Sequence, residues 1–154
     1  MNNRRTMQYY PRALEDACLR AADQLPVLII TGPRQVGKTC LLDHLCEPKR
    51  TYVRLAKSDP ALFLQRFAPP VLIDEVQYAP ELFPAIKLLV DRDPKPGSVW
   101  LTGSQSFPLM KGVSESLAGR VAILNLLGFS ARESDQRVSA VPPFVPDVDA
   151  IDER

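Results

Sequence analysis

Apolar residues along this chain gather in five short runs, separated by stretches whose apolar positions recur at helical spacing. The runs predict strands at Val27–Thr31, Tyr52–Leu55, Val71–Asp74, Val99–Thr102 and Val121–Leu126. Two of them, Val27-Leu28-Ile29-Ile30 and Val71-Leu72-Ile73, are apolar at every position. A strand covered on one face alternates and a strand covered on both does not, so these two belong in the middle of a sheet.

The intervening stretches read as helices. Arg12–Gln24 sets Leu14, Ala17, Cys18 and Ala21 on one face, and Lys38–Leu45 carries Leu41, Leu42 and Leu45. Ser58-Asp59-Pro60 is a helix opening, a capping side chain followed by a first-turn proline. Pro80–Val90 is one-sided through Leu82, Ile86, Leu89 and Val90, with Pro84 early enough that its missing N–H costs little. Strand alternating with helix predicts an α/β fold, a parallel sheet of about five strands with helices on both faces. The character changes near Ser130: a polar stretch over Ala131–Ala140 leads into prolines 142, 143 and 146 and an acidic end. The expected organisation is a core over residues 1–129 and a poorly ordered tail over residues 130–154.

Composition narrows the class of partner. Of 154 residues, 45% are hydrophobic, enough for a core, and the 19 basic and 18 acidic residues leave a net charge of +1. A nucleic-acid-binding domain is usually strongly basic, and this balance gives no such indication. No run of 18 apolar residues and no secretory leader is present, so a cytoplasmic protein without a membrane span is expected. Cys18, Cys40 and Cys46 are odd in number and form no CxxC pair, which fits reduced, buried or half-buried thiols. His44 beside Cys46 is too little for a metal site and reads as incidental.

The chemistry lies at the strand ends. Gly32-Pro33-Arg34-Gln35-Val36-Gly37-Lys38-Thr39 fits G-x-x-x-x-G-K-[ST] at every fixed position, between a strand and a helix. Glycines let backbone N–H groups turn inward onto a phosphate chain, and the helix presents its positive dipole end to it. Lys38 supplies charge to the terminal phosphates and the Thr39 hydroxyl is a Mg2+ ligand. Cys40 closes this nucleotide-binding run. The second element is Val71-Leu72-Ile73-Asp74-Glu75, an apolar strand that ends in two carboxylates. Asp74 at the sheet's C-terminal edge is the candidate for holding Mg2+, and Glu75 for taking a proton from, or orienting, the attacking water. A third strand ends Thr102-Gly103-Ser104, where either hydroxyl is placed to meet the γ-phosphate or the water. Arg120, opening the last strand, is a candidate for stabilising transition-state charge within its subunit or across an interface. Gln77 is a residue that orders a water or the loop, Tyr78 and Trp100 read as packing residues, and Arg34 as structural.

GPRQVGKT, LIDEVQ, LTGSQ and SLAGR, in that order, resemble the prokaryotic AAA-type ATPases, over residues 12–130. The resemblance implies a three-layer P-loop NTPase fold with sheet order 5-1-4-3-2 and ATP with Mg2+ as ligand. It implies that Lys38 and Thr39 bind phosphate and metal, that Asp74 binds the metal, that Glu75 is the hydrolytic base and that Ser104 is the polar sensor. Two departures stand out. Members usually carry a second threonine where this chain has Cys40, a position expected to pack in the helix. They also continue into a C-terminal domain where this sequence stops at Arg154, which leaves open a fragment, a truncated product or a stand-alone core.

The expected function is therefore Mg2+-dependent hydrolysis of ATP to ADP and phosphate, with a homo-oligomer or a protein partner left open. The alternative is a nucleotide-dependent switch or interaction module with little hydrolysis. A small-molecule kinase fits the Asp-Glu pair less well, and the absence of an N-K-x-D run argues against guanine.

Overall fold

The computed structural model describes residues 9–54, 60–104 and 107–138. Ser58, Asp59 and Leu55, named above for a helix opening and a strand end, lie outside the described residues, as do residues 139–154 of the expected tail. Among the described residues one compact unit spans Leu14–Gly128, and residues 9–13 with 129–138 belong to a second.

In the larger unit the elements run α1 (Glu15–Gln24), β1 (Val27–Thr31), α2 (Lys38–Leu45), β2 (Thr51–Arg54), α3 (Pro60–Arg66), β3 (Val71–Asp74), α4 (Leu82–Arg92), β4 (Val99–Thr102), α5 (Phe107–Leu117) and β5 (Val121–Asn125). All strand pairs are parallel and the order is β2-β3-β4-β1-β5, the order that the resemblance implies. The first helix begins at Glu15 instead of Arg12, because Leu14 already occupies the N-terminal flanking position.

Alternation along β1 sorts the core into two layers. Val27 and Ile29 join Val71, Ile73, Val99 and Leu101 against Phe63, Leu64, Phe83, Ile86, Val113 and Leu117 from α3, α4 and α5. Leu28 and Ile30 join Leu72 and Trp100 on the other side, against Cys18 and Ala22 of α1 and Leu41 and Leu42 of α2. Helices on both faces are why β1 and β3 carry no polar alternation: every residue of both strands is buried.

Helix α5 has no counterpart in the sequence reading. Gly112, Ser114 and Ser116 break its apolar stripe, yet Val113 and Leu117 are fully buried. Gly112 has a packing reason, since a Cβ there would lie 2.9 Å from Cδ2 of the buried Phe83 on α4. The cysteines divide: Cys18 is buried, Cys46 half-buried and Cys40 exposed. Cys40 was expected to pack in the helix, but α2 turns Leu41 and Leu42 inward and leaves Cys40 on the opposite face. No helix among the described residues is long and apolar enough to cross a membrane.

The smaller unit is built on one carboxylate. Ser130 caps the short helix α6 (Ala131–Ser134) in a capping box with Glu133. Glu133 also accepts from Arg12 Nε and from Ala13 N, both at 3.0 Å, and the Arg12 guanidinium lies 4.4 Å over the Phe129 ring. Burial alone would raise the Glu133 carboxyl; the hydrogen bonds from Ser130, Arg12 and Ala13 outweigh it and hold the group down at about 2. The sequence reading took this stretch as polar tail, because a capping box leaves no apolar period.

Two predictions follow from these contacts. Replacing Gly112 with alanine adds up to about 1 kcal/mol of helix propensity but overpacks the Phe83 contact at a cost of about 1–3 kcal/mol. A lower urea midpoint for Gly112→Ala than for wild type is therefore expected. Because the Glu133 carboxyl sits below its ordinary 4.5 in the folded state, its contribution to stability is present above pH 4.5 and fades as pH falls toward 2. Exchange protection of the Ala13 amide should drop across that window, and Glu133→Gln should remove the dependence.

Candidate functional site

In a parallel sheet all C-terminal strand ends share one edge. That edge collects the loop after β1, the acids at the end of β3 and the hydroxyl at the end of β4, three neighbouring strands. The connection from β1 to β2 steps over β4 and β3, and β5 lies on β1's other side, the topological arrangement at which open α/β sheets bind ligands.

The loop from Gly32 to Gly37 leaves β1 with positive φ at Gly32 (141°), Gln35 (63°) and Gly37 (91°). Gly32 is dictated by space as well as by φ: a Cβ there would lie 2.1 Å from the Leu126 carbonyl oxygen. The strand end is itself tied to that residue, with Leu126 N donating to Thr31 O at 2.8 Å. Lys38 begins α2, is only 7% exposed, and spans the loop by donating from Nζ to the carbonyls of Gly32 (3.0 Å) and Pro33 (2.6 Å). Burial lowers the basicity of this ammonium, while the Glu75 and Asp74 charges act in the opposite direction.

Asp74 is the hub. It is buried, and its Oδ1 accepts from Thr39 Oγ1 at 2.9 Å and from Thr102 Oγ1, while Oδ2 accepts from Tyr52 OH at 2.8 Å. Thr102 in turn accepts from Glu75 N at 3.0 Å. Glu75 adopts a left-handed conformation (φ 58°, ψ 43°), which turns the chain into a single 3-10 turn over Val76–Tyr78. Gln77 on that turn donates from Nε2 to the Glu75 carboxylate and accepts at Oε1 from Ser104 N at 3.1 Å.

The structure thus brings together Gly32, Gly37, Lys38, Thr39, Asp74 and Glu75, and between the two hydroxyls at the end of β4 it turns Thr102 onto Asp74 and gives Ser104 a backbone contact with Gln77. Pro33, Arg34 and Gln35 are exposed on the loop, Val36 is half-buried in it and Cys40 is exposed beyond it. Arg34 Nη2 donates to Tyr78 OH at 3.2 Å, so Tyr78, at 59% exposure, is a polar partner instead of the packing residue expected. Arg120 is not brought to this edge. Val121 pairs with Val27 at the start of β1, so Arg120 lies at the opposite, N-terminal edge, a strand length of roughly 15 Å away. There it forms an ion pair with Asp91 of α4 and donates to Ala118 O at 2.9 Å.

Tyr52 is the residue that sequence reasoning missed. A tyrosine in a short strand reads as an ordinary β-former. Only the β2–β3 register, with Tyr52 beside Leu72 and Asp74 two residues on, lets its long side chain reach the carboxylate. Burial, then the hydrogen bond and charge of Asp74, push the phenol up to about 12. A cavity of about 840 Å3 opens elsewhere, at the N-terminal edge between α3, α4 and the starts of β2 to β4. It contains none of the Gly32–Thr39 residues.

A family model described as an AAA domain matches residues 24–134, and the chain belongs to that family, the AAA-type P-loop ATPases. Uncharacterized proteins of Mycobacterium tuberculosis and Mycobacterium bovis are each 41% identical to it over 124 residues. These cover 74% of this chain, which spans only 28% of the length of either relative. The chain is accordingly a nucleotide-binding, ATPase-like domain.

The fit at Gly32 generates a prediction about stability as well as binding. Gly32→Ala has to displace the Leu126 backbone, so its melting temperature should fall even without nucleotide, whereas a change confined to phosphate contacts would leave the melt of the free protein unmoved.

Proposed function

We propose that this AAA-family domain binds ATP through Gly32–Thr39 and hydrolyses it to ADP and phosphate with Glu75 as the base. The observation that carries the reading is the meeting of Thr39 and Asp74 at 2.9 Å at the foot of the loop, with Glu75 next in the chain. The glycine-shaped loop and the start of α2 offer N–H groups and a positive dipole end to the phosphates. Lys38 exchanges loop carbonyls for phosphate oxygens. Glu75, held by its backbone N–H to Thr102, accepts the proton of the water whose oxygen bonds to the γ-phosphorus as the bond to the β,γ-bridging oxygen breaks.

A hydroxyl and a carboxylate are hard oxygen donors, the set that suits Mg2+. Thr39 and Asp74 would hold the ion that accompanies ATP, and it would neutralise charge on the β- and γ-oxygens. Thr102 orients Asp74 and the Glu75 backbone. Ser104, expected as the polar sensor, remains at the same strand end. Arg120 has no part in this scheme within one chain, because of the edge on which it lies.

Lys38→Ala should weaken ATP binding at least 100-fold by calorimetry. Glu75→Gln should leave the ATP dissociation constant within about threefold while phosphate release falls about 10²–10⁴-fold, the range for loss of a general base. Equal ATP binding by wild type and Lys38→Ala would remove the nucleotide assignment. Tight binding with no phosphate release by wild type would instead favour a nucleotide-dependent switch.

A further inference from the structure

The Glu75 N–H and the Glu75 carboxylate are each held by a side chain, and the second contact is unexplained by phosphate or metal binding. Its backbone is fixed through Thr102; its carboxylate is fixed by Gln77. The Gln77 amide joins the end of β3 to the end of β4, because its other atom receives Ser104 N. Only one orientation of the amide satisfies both neighbours. Ser104 N is a donor and must face Oε1, which leaves the Nε2 donor for the carboxylate. A glutamate at this position would keep the acceptor for Ser104 and lose the donor for Glu75.

We propose that Gln77 is a positioning residue for Glu75: it fixes the carboxylate against the end of β4, where the terminal phosphate and the attacking water would lie. This rests on the hydrolytic reading given above. Glu75 sits in a left-handed turn with its side chain only half-buried, so packing alone leaves its rotamers free. A base must stand within hydrogen-bond reach of the water, and a displacement of about 1 Å can cost on the order of 100-fold in rate. Gln77 removes that freedom without occupying the carboxylate oxygen that it does not touch.

The test is a double-mutant cycle on the chain as it stands, with single-turnover phosphate release and ATP binding measured together. Gln77→Ala should lower the hydrolysis rate about 10–100-fold with the ATP dissociation constant within about threefold, and should lower it no further in a Glu75→Gln background. Gln77→Glu, which preserves shape and the Ser104 acceptor, should lose at least as much as Gln77→Ala because it sets two carboxylates together. Equal fold losses in both backgrounds, unchanged rates, or a loss of ATP affinity that tracks the loss of rate would each overturn the proposal. If wild type releases no phosphate, the hydrolytic reading fails by itself, and NMR then decides the Gln77 link. The Gln77 carboxamide resonances should shift in Glu75→Gln and the Ser104 amide should lose exchange protection in Gln77→Ala; unmoved signals overturn it.

Discussion

The site depends on a buried carboxylate that has to be hydrogen-bonded. Asp74 ends a strand whose every residue is buried, and an ionised group in such a place is tolerated only with partners on its oxygens. Its partners are three hydroxyls, from Tyr52 on β2, Thr102 on β4 and Thr39 on α2. One side chain therefore ties together the strands on either side of β3 and the first turn of the helix after the loop. The loop cannot move relative to the acids without breaking the Thr39 contact. Thr102, once turned toward Asp74, presents its oxygen to the Glu75 N–H, so the second acid takes its place from the first.

Backbone strain sits beside that hub. A left-handed glutamate costs on the order of 1–3 kcal/mol and persists only where surrounding contacts over-determine it. Here those contacts are visible: the N–H to Thr102, the amide of Gln77, and Val76 driven fully into the core immediately after the turn. Burying Val76 and ending β3 at the sheet edge require a sharp change of direction within one residue. Gln35 in the loop after β1 is a second non-glycine residue with positive φ, so the backbone departs from ordinary geometry in the connections that leave both β1 and β3.

How much of this was legible in the sequence depends on whether a feature is local. The uninterrupted apolar runs of β1 and β3 were readable because helices cover both faces, and G-x-x-x-x-G-K-T was readable because its glycines and lysine act through their own backbone and short reach. Helix α5 was not, since Gly112 and two serines hide its period while one neighbour, Phe83, explains the glycine. The capping box at Ser130 was overlooked in a stretch read only for its polarity. Tyr52 required a strand register that no single strand contains. Arg120 is different: residues that follow strands reach the ligand edge and a residue that precedes one does not, so parallel topology already assigned it to the far edge.

Lys38 shows how a site can be assembled from the chain's own groups and still be receptive to phosphate. Its ammonium is nearly buried and satisfied by two carbonyls of the loop it helps to close. Carbonyls are neutral acceptors, and hydrogen bonds between a cation and an anionic oxygen are roughly twice as strong as neutral ones. Burial works against the charged form and lowers the basicity of the group, while the nearby Asp74 and Glu75 charges work for it, at a place where water solvates it poorly. Under the proposed reading a phosphate chain would gain from such a cation, because little hydration has to be stripped from it. The same two acids that sustain the lysine's charge repel a phosphate brought in alone. Under the proposed reading that repulsion would be an electrostatic reason for a divalent ion to accompany the nucleotide, and Thr39 and Asp74 would be the residues to hold it.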